Sequence, residues 1–365
     1  MKVAVVHDWL VTNAGAEKVL RAILEVYPEA DVFSLADFLS PEEWETIVFG
    51  KKVQTSFIQR LPLAKKYFRH YLPLFPSAIE SLDFTKYDLV ISSSWAVAKG
   101  VQTNKKQLHI SYCHTPIRYA WDLYNEYTSN LRQPKKIFVQ WTLKYIRQWD
   151  LRTSKHVTSF IANSSFVQDR IERTYNRKSI VIHPPIDTDT FILQEKKEEF
   201  FFTASRLVPY KKVKLIVEAF NVNGKRLVVA GAGEELEEIR KIAKENVIVL
   251  GYVDNDTMKS TMQSSKAFVF AALEDFGIIP VEAMACGTPV IAHGLGGVCD
   301  TVIDGITGVL FDEQNIDSLN HAIERFETMV FDSKQISEHA QSFSNKRFKD
   351  EFKAFVEHEI KTFFD

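Results

Sequence analysis

Short apolar runs alternate with amphipathic segments along most of this chain. KVAVVHD, residues 2–8, is an unbroken apolar run typical of a buried parallel strand. Val19, Leu20, Ile23 and Leu24 then recur at helical spacing. The same rhythm predicts further strands at DVFSLA, YDLVISSS, LHISYCHT, FIANSS, SIVIHPPID, FFTASR, RLVVAGAG, VIVLGYV, AFVFAAL, TPVIA and TGVLF. Residues 40–81, interrupted by Pro62, Pro73 and Pro76, are predicted to be mostly helical, and PIRYAWDLYNEY is predicted to be one helix.

Alternating strands and helices favour doubly wound parallel sheets, and 365 residues suit two domains better than one core. The paired prolines and charge run in HPPIDTDTFILQEKKEE mark the boundary. We therefore predict an N-terminal Rossmann-like domain at 1–183, a linker at 184–198 and a second Rossmann-like domain at 199–345. The amphipathic tail at 346–365 is predicted to be a final helix.

Composition narrows the class of protein. With 45% hydrophobic and 25% charged residues and no apolar run long enough to cross a bilayer, the chain is expected to be cytoplasmic. Cys113, Cys286 and Cys299 lack metal-ligand spacing and are expected to be buried, reduced thiols. Residues 1–190 hold 25 basic and 19 acidic side chains. This modest excess argues against nucleic acid and suits an anionic membrane surface or a phosphorylated acceptor.

The densest candidate chemistry lies at EDFGIIPVEAMACGTPVIA, residues 274–292. It is predicted to be a strand end, a loop, a helix starting within a residue or two of Pro280, and a left-handed Gly287 at its end. Backbone N–H groups at such a helix start favour an anion, and Gly277 allows close approach. Glu274 and Glu282 flank the loop, which suits a ligand with hydroxyls on both sides of a diphosphate. The alternative is that Glu274 only ends a strand and Glu282 only complements the helix dipole.

The wording E-x-F-G-x-x-x-x-E-A-M-A-x-G-x-P-V-I resembles the signature of retaining, family-4-type glycosyltransferases of the GT-B fold, an α/β fold of two Rossmann-like domains facing each other across a cleft. The resemblance implies that Glu282 holds the ribose, that Glu274 contacts the donor sugar, and that Phe276, Gly277 and Ile278 line the donor site. It also implies that the final helix crosses back onto the first domain.

Two further segments of the second domain match that pattern. SRLVPYKKV carries the family's R-x4-K spacing, which makes Arg206 and Lys211 the expected ligands of the leaving diphosphate, although two solvated surface cations are the alternative. Gly231 and Gly233 in GAGEELEEI are placed near the nucleotide by the resemblance, but a tight strand-to-helix turn explains a lone G-x-G equally well.

Three residues of the first domain complete the expected site. The resemblance of YCHTPIRYAWD to the family's H-x-P segment implies that His114 contacts the donor sugar, and a structural histidine is the alternative. Gly15 opens a helix in NAGAEKV, and such a helix start favours an anion, so Gly15 is expected to bind the donor. The family usually has two glycines there, and this chain has Ala14 first. Asp8 ends the first strand and is expected to face the acceptor. In GLGGVCDTVIDGITG, Asp300 stands where the family has glutamate.

The combined motifs look most like bacterial mannosyltransferases of surface-polysaccharide assembly. The resemblance implies metal-independent, retaining transfer from GDP-mannose to a lipid-linked saccharide at the inner face of the membrane. His114, Glu274, Arg206 and Lys211 would be the catalytic set, with no cofactor. A nucleotide-sugar epimerase and a non-catalytic nucleotide-sugar-binding regulator remain alternatives. The base and sugar of the donor, the acceptor, the linkage and the oligomeric state stay open.

Residues 51–77 are a candidate membrane-docking segment. They hold six basic residues and no acidic one, interleaved with aromatic and leucine side chains. An ordinary solvated helix with an apolar core face is the alternative, because prolines interrupt the segment.

Overall fold

A computed structural model describes residues 1–122, 124–129 and 131–365, with the backbone alone at 125–127. The chain divides into two compact units. The N-terminal unit comprises Met1–Pro185 together with Phe348–Asp365, and the C-terminal unit is Ile186–Arg347.

The N-terminal unit is built on a seven-stranded sheet in which every strand pair is parallel, in the order β3-β2-β1-β4-β5-β6-β7. Its strands are β1 Val3–His7, β2 Asp31–Ser34, β3 Val53–Thr55, β4 Leu89–Ser94, β5 Leu108–Cys113, β6 Ser159–Ala162 and β7 Ser179–Val181. Its helices are α1 Gly15–Val26, α2 Pro41–Val48, α3 Ala64–Tyr67, α4 Phe75–Glu80, α5 Tyr124–Ser129, α6 Lys135–Ser154 and α7 Ser165–Tyr175.

The C-terminal unit repeats this topology with six parallel strands in the order β10-β9-β8-β11-β12-β13. Its strands are β8 Glu198–Ala204, β9 Leu227–Ala230, β10 Val247–Gly251, β11 Ser265–Phe270, β12 Val290–His293 and β13 Gly308–Phe311. Its helices are α8 Val213–Asn223, α9 Leu236–Ile242, α10 Asn255–Ser264, α11 Ile278–Ala285, α12 Val298–Thr301, α13 Ile316–Glu327 and α14 Ser333–Gln341. Both units are therefore doubly wound, as predicted.

The order of strands reverses between β1 and β4 in one sheet and between β8 and β11 in the other. In open parallel sheets, ligands bind beyond the carboxyl ends of the strands at such a switch point, because the flanking loops diverge there. Each unit therefore has one place where its fold favours a site.

The last helix, α15 Asn345–Phe364, returns the chain to the N-terminal unit. Phe348, Phe352 and Val356 are fully buried there, in the same apolar cluster as Val5 of β1 and the buried face of α1. The Phe348 ring also meets Tyr112 of β5 at 5.8 Å between centroids. This helix is therefore part of the N-terminal unit's core.

The structure differs from the sequence prediction at residues 184–198, predicted to be a linker. Ile186 is fully buried and exchanges backbone hydrogen bonds with Phe343 and Asn345. The Lys197 ammonium donates to the carbonyl oxygens of Gln263 and Cys286. The segment therefore packs on the C-terminal unit and is not a free linker. Its contacts are with residues far away in the chain, so the local sequence did not indicate them.

Other differences are local. Residues 40–81 include the strand β3, which pairs with β2, and short helical turns in place of long helices. The predicted helix at 116–127 is a turn followed by α5, and Leu123 within it lies outside the described residues. Cys113 and Cys286 are buried free thiols, as expected, but Cys299 is exposed. Burial raises the pKa of the Cys286 thiol to about 12.

Candidate functional site

The switch point of the C-terminal unit brings several predicted residues together. Lys211 lies on a short 3-10 turn after β8, and its ammonium forms an ion pair with the carboxylate of Glu274, which follows β11. Arg206 donates to the Tyr210 hydroxyl at 2.9 Å, and the Lys211 ammonium lies 5.6 Å from the centroid of that same ring. Two cations and a carboxylate therefore share one end of the sheet, as the sequence predicted.

The glycine turn after β9 has a structural explanation. A Cβ on Gly231 would lie 1.9 Å from the carbonyl oxygen of Ser205, and one on Gly233 would lie 2.2 Å from that of Leu207. Both distances are far below contact, so the turn requires glycine to pack against the segment that carries Arg206. Gly231 and Gly233 therefore position Arg206 whether or not they also border a nucleotide.

The loop that links β11 to α11 is held from both sides. Gly277 has φ +88° and precedes α11, which begins at Ile278, within two residues of Pro280 as predicted. Pro280 is the third residue of the helix and not its first, which is tolerated because the first four N–H groups have no partner within a helix. Phe276 is buried against Phe343 at 6.0 Å, so its side chain anchors the loop. Glu282, in the first turns of α11, is half-buried.

A second glycine pair, Gly296 and Gly297, packs against this loop and was not among the predicted site residues. The Gly297 N–H donates to the Glu274 carbonyl oxygen at 2.9 Å. A Cβ on Gly297 would lie 2.3 Å from the Asp275 carbonyl oxygen, and one on Gly296 would lie 2.5 Å from that of Glu274. The signal was present as GLGG, since paired glycines after a buried strand indicate close backbone approach. Asp300 follows on α12 and is half-buried.

In the N-terminal unit, Asp8 is placed in the interior and not at a surface open to an acceptor. It is fully buried, and its carboxylate accepts four backbone N–H groups, those of residues 95–98, at 2.6–2.7 Å. Burial raises the pKa of the Asp8 carboxyl, and the N–H donors at Trp95 and Ala98 oppose that rise. Asp8 therefore has a structural role, and the prediction that it faces the acceptor is corrected, because both of its carboxylate oxygens already accept hydrogen bonds within the protein.

His114 follows β5 and is the half-buried end of a polar chain that runs into the interior. Its Nε2 lies 2.9 Å from the Ser93 hydroxyl, which lies 3.0 Å from Nδ1 of His7. His7 and Ser93 are direct neighbours across β1 and β4, which explains the contact. Nε2 of His7 lies 3.7 Å from a Glu17 carboxylate oxygen, and all three inner residues are buried. The three inner members were not among the predicted site residues.

Burial lowers the pKa of His114 to about 3. The His114 imidazole is therefore neutral near neutral pH. Edge contacts with Tyr112 at 5.1 Å and Trp95 at 5.7 Å fix its ring orientation. Such a ring can accept or donate one hydrogen bond at each nitrogen, depending on its tautomer.

Gly15 begins α1 as predicted, but a resident carboxylate occupies this helix start. The other oxygen of Glu17 accepts the Ala14 N–H at 3.0 Å. The favourable dipole interaction that was expected for a ligand anion at Gly15 is therefore already made by Glu17.

The described residues hold neither a cluster of metal ligands nor a helix that could cross a membrane. Within 1–122, 124–129 and 131–365, no group of three His, Cys, Asp or Glu side chains is placed to hold a metal ion. In the same part of the chain, no helix is both long enough and apolar enough to span a bilayer.

Comparison with known families accounts for nearly the whole chain. Residues 14–190 match the model described as Glycosyltransferase Family 4, and residues 185–343 match the model described as Glycosyl transferases group 1. The boundary between the two matches falls where the two structural units meet in the sequence.

Three relatives are named mannosyltransferases. The chain is 28% identical to the alpha-1,3/1,6-mannosyltransferase ALG2 of Dictyostelium discoideum, over 74% of each chain. It is 26% identical to the O-antigen chain mannosyltransferase RfbU of Salmonella typhimurium, over 51% of this chain and 58% of that one. It is 24% identical to a GDP-mannose-dependent alpha-(1-6)-phosphatidylinositol monomannoside mannosyltransferase of Mycolicibacterium smegmatis, over 51% and 57%. The chain spans about half the length, or less, of the first curated relatives it matches.

Two solved structures share the fold over almost their entire length. The structure of Anabaena Alr3699/HepE in complex with UDP has a TM-score of 0.69 at 17% identity, covering 98% of this chain and 100% of that one. Sucrose-phosphate synthase from Thermosynechococcus elongatus has a TM-score of 0.71 at 16% identity, covering 99% and 100%. With the two doubly wound units, these neighbours show the GT-B fold.

Proposed function

We propose that this chain, a glycosyltransferase built from a Family 4 domain and a group 1 domain, transfers mannose from GDP-mannose to a lipid-linked saccharide with retention of configuration. The observation that carries the proposal is the grouping of Arg206, Lys211 and Glu274 beside the loop at Gly277. The names of the three mannosyltransferase relatives support the choice of sugar.

The leaving group of such a reaction is a diphosphate whose negative charge grows as the glycosidic bond breaks. Arg206 and Lys211 are the cations that stabilise this charge in the proposal, together with the N–H groups at the start of α11. Glu282 accepts hydrogen bonds from the ribose hydroxyls, and Glu274 and His114 contact the sugar. The proposal needs no metal, so transfer should persist in the presence of EDTA.

The ion pair between Lys211 and Glu274 must open before Lys211 can bind the donor diphosphate. Both side chains are mostly buried, with 14% and 22% of their surfaces exposed. Lys211 must exchange this carboxylate for a phosphate when the donor binds, and the exchange releases Glu274 to accept from a sugar hydroxyl. Glu274 would thus act twice, by restraining Lys211 before binding and by contacting the sugar afterwards.

Glu274→Gln tests this double role because it removes the charge and keeps the shape. Without the competing carboxylate, Lys211 should bind GDP more tightly, by severalfold on the scale of roughly 1 kcal/mol for a partly exposed pair. Mannose transfer should fall, since the charge-assisted contact with the sugar is lost. Lys211→Met is the matched control and should weaken GDP and GDP-mannose alike. Weaker GDP binding by Glu274→Gln in calorimetry would contradict the exchange.

Glu282→Gln tests the ribose contact. A hydrogen bond from a hydroxyl to a charged carboxylate is worth roughly 1.5–3 kcal/mol, so donor affinity should fall by at least about tenfold. The melting temperature of the ligand-free protein should stay close to that of the wild type. Donor affinity equal to wild type would remove Glu282 from the nucleotide site.

The donor and the stereochemistry can be tested directly. A thermal-shift series with GDP-, UDP- and ADP-sugars should show the largest stabilisation with GDP-mannose, because a ligand that binds only the native state raises its apparent stability. NMR of the product should show an α-linkage from the α-linked donor. A β-linked product would refute retention, and an epimerised free nucleotide sugar formed without acceptor would replace transfer by epimerisation.

Attachment to a membrane surface is a further part of the proposal, and the structure sharpens the segment at 51–77. Leu63 is 72% exposed beside the exposed Lys65 and Lys66, whereas Phe68 and Phe75 are core residues. The neighbouring helix α6 presents three more exposed apolar side chains, Ile137, Phe138 and Trp141. Exposed apolar groups beside lysines are the chemistry of an anionic bilayer interface.

Co-sedimentation with liposomes that contain anionic lipid tests these surfaces separately. Lys65→Glu with Lys66→Glu should weaken binding at low salt, at about 1 kcal/mol per lysine, and the difference should shrink at high salt. Trp141→Ser should weaken binding at both salt concentrations, because its contribution is apolar. Val330→Ser, which removes a 98% exposed apolar side chain from the other unit, should have no effect. Unchanged sedimentation of the lysine and Trp141 variants would exclude this face.

A further inference from the structure

The polar chain Glu17–His7–Ser93–His114 has a direction that follows from its inner end. One Glu17 oxygen is occupied by the Ala14 N–H, and the other faces Nε2 of His7 at 3.7 Å. That distance exceeds a hydrogen bond, but both side chains are shielded from water, so the carboxylate's charge acts at low dielectric. On a His7 ring that carries one proton, this charge favours the proton on Nε2, which leaves Nδ1 as an acceptor.

The donor and acceptor roles of Ser93 and His114 then follow in turn. Nδ1 of His7, as an acceptor, receives the Ser93 hydroxyl proton across 3.0 Å. The Ser93 oxygen is thereby left to accept, and its partner at 2.9 Å is Nε2 of His114. His114 must donate there, because a neutral ring carries its single proton on one nitrogen.

We propose that Glu17, His7 and Ser93 are positioning residues that hold His114 in its Nε2–H tautomer, so that Nδ1 is presented as an acceptor to a hydroxyl of the bound sugar. The role in sugar binding rests on the proposed function, whereas the tautomer is a property of the protein alone. The neutral state of His114 and its ring contacts with Tyr112 and Trp95 keep that acceptor in one orientation.

Glu17→Gln should reverse the chain. The amide oxygen of the introduced glutamine is needed by the Ala14 N–H, so its NH2 group must face Nε2 of His7 and favour an unprotonated nitrogen there. His7 would then carry its proton on Nδ1, Ser93 would accept from His7 and donate to His114, and His114 would become the Nδ1–H tautomer. Glu17→Gln is nearly isosteric and lies in the interior. It should nevertheless convert Nδ1 of the half-buried His114 ring from an acceptor to a donor.

The experiment is long-range proton–nitrogen NMR on protein labelled with 15N-histidine, without donor, near neutral pH. His114→Gln identifies the His114 ring signals among the ten histidines. Wild type should show a protonated Nε2 and a bare Nδ1 on His114, and Glu17→Gln should show the opposite. A protonated Nδ1 in the wild type, or an unchanged pattern in Glu17→Gln, would overturn the proposal.

Two further variants keep the test decisive if Glu17→Gln does not fold. Ser93→Ala cuts the chain, so His114 should show mixed tautomers, whereas Ser93→Thr retains a hydroxyl and should restore the wild-type pattern. His7→Phe keeps a ring against Trp95, which His7 contacts at 4.8 Å, and should also give mixed tautomers. A single unchanged tautomer in both Ser93→Ala and His7→Phe would show that the chain does not set His114.

Turnover supplies the link to function. Glu17→Gln should lower kcat for mannosyl transfer by roughly tenfold, the scale of one hydrogen bond, and should leave GDP affinity unchanged. In a Ser93→Ala background the same change should have no further effect on kcat, which a purely structural role of Glu17 would not predict. Because the NMR result needs no substrate, a failed activity assay with the predicted NMR pattern would refute the proposed function and leave the positioning chain intact.

Discussion

Replacing Asp8 by asparagine should destabilise the N-terminal unit severely. The Asp8 carboxylate accepts two backbone N–H groups at each oxygen, from Trp95 and Ala96 at one and from Val97 and Ala98 at the other. The single amide oxygen of asparagine can keep one of these pairs. Its NH2 group would face the other pair and leave two buried donors without an acceptor.

The cost follows from the two lost bonds. Hydrogen bonds to a charged group contribute roughly 1.5–3 kcal/mol each, so Asp8→Asn should lower the free energy of unfolding by about 3–6 kcal/mol. That is a large part of the roughly 5–15 kcal/mol typical of a folded protein. The change should therefore move the urea midpoint far, and any loss of transfer activity should follow the loss of folded protein.

Tryptophan fluorescence is a suitable assay because all six tryptophans belong to the N-terminal unit. It reports the unfolding of that unit separately from the C-terminal unit. Ser94→Ala is the control, since its hydroxyl lies 3.5 Å from the same carboxylate, the limit of a hydrogen bond, and its loss should cost under about 1 kcal/mol. Wild-type urea resistance of Asp8→Asn, together with a raised acceptor KM, would refute the structural role and restore the acceptor contact.

Three other predictions concern single positions. Asp150→Asn removes the charge partner of the fully buried Lys99, 2.5 Å away, and should cost about 3–5 kcal/mol in urea unfolding; a loss below about 1 kcal/mol would contradict a buried pair. Gly297→Ala should lower donor affinity and stability, because overpacking costs about 1–3 kcal/mol, whereas nothing lies within 4 Å of a Cβ at Gly224, so Gly224→Ala should show only backbone strain. Burial lowers the pKa of His109 to about 3, so the unfolded chain binds its proton first as pH falls below about 6.5. The contribution of His109 to stability should therefore be full above that pH and decline by about 1.4 kcal/mol per unit toward pH 3, so the wild type should lose stability more steeply than His109→Gln.

The strands and the main motif could be predicted from sequence because their signals are local. Apolar runs, proline near a helix start and glycine past its end depend on neighbouring residues, and α11 begins and ends where Pro280 and Gly287 indicate. The Lys211–Glu274 pair was also within reach, because both residues follow strand ends that meet at one edge of a sheet.

Other features depend on partners far away in the chain. Asp8 ends a strand as a catalytic carboxylate would, and only the fold shows that residues 95–98 surround it. Ser93 looked like an ordinary polar end of a strand until His7 and His114 were placed beside it. The strand β3 was missed because three residues at a sheet edge give a weak pattern.

The return of α15 to the N-terminal unit has a consequence for the order in which the protein forms during synthesis. The C-terminal unit is one continuous stretch, so all of its residues are available before Phe348 is made. The N-terminal unit is translated first but lacks Phe348, Phe352 and Val356 until the entire C-terminal unit has been translated. Its apolar cluster around α1 therefore stays partly uncovered until then, and exposed apolar surface of this kind is prone to aggregate and to bind chaperones.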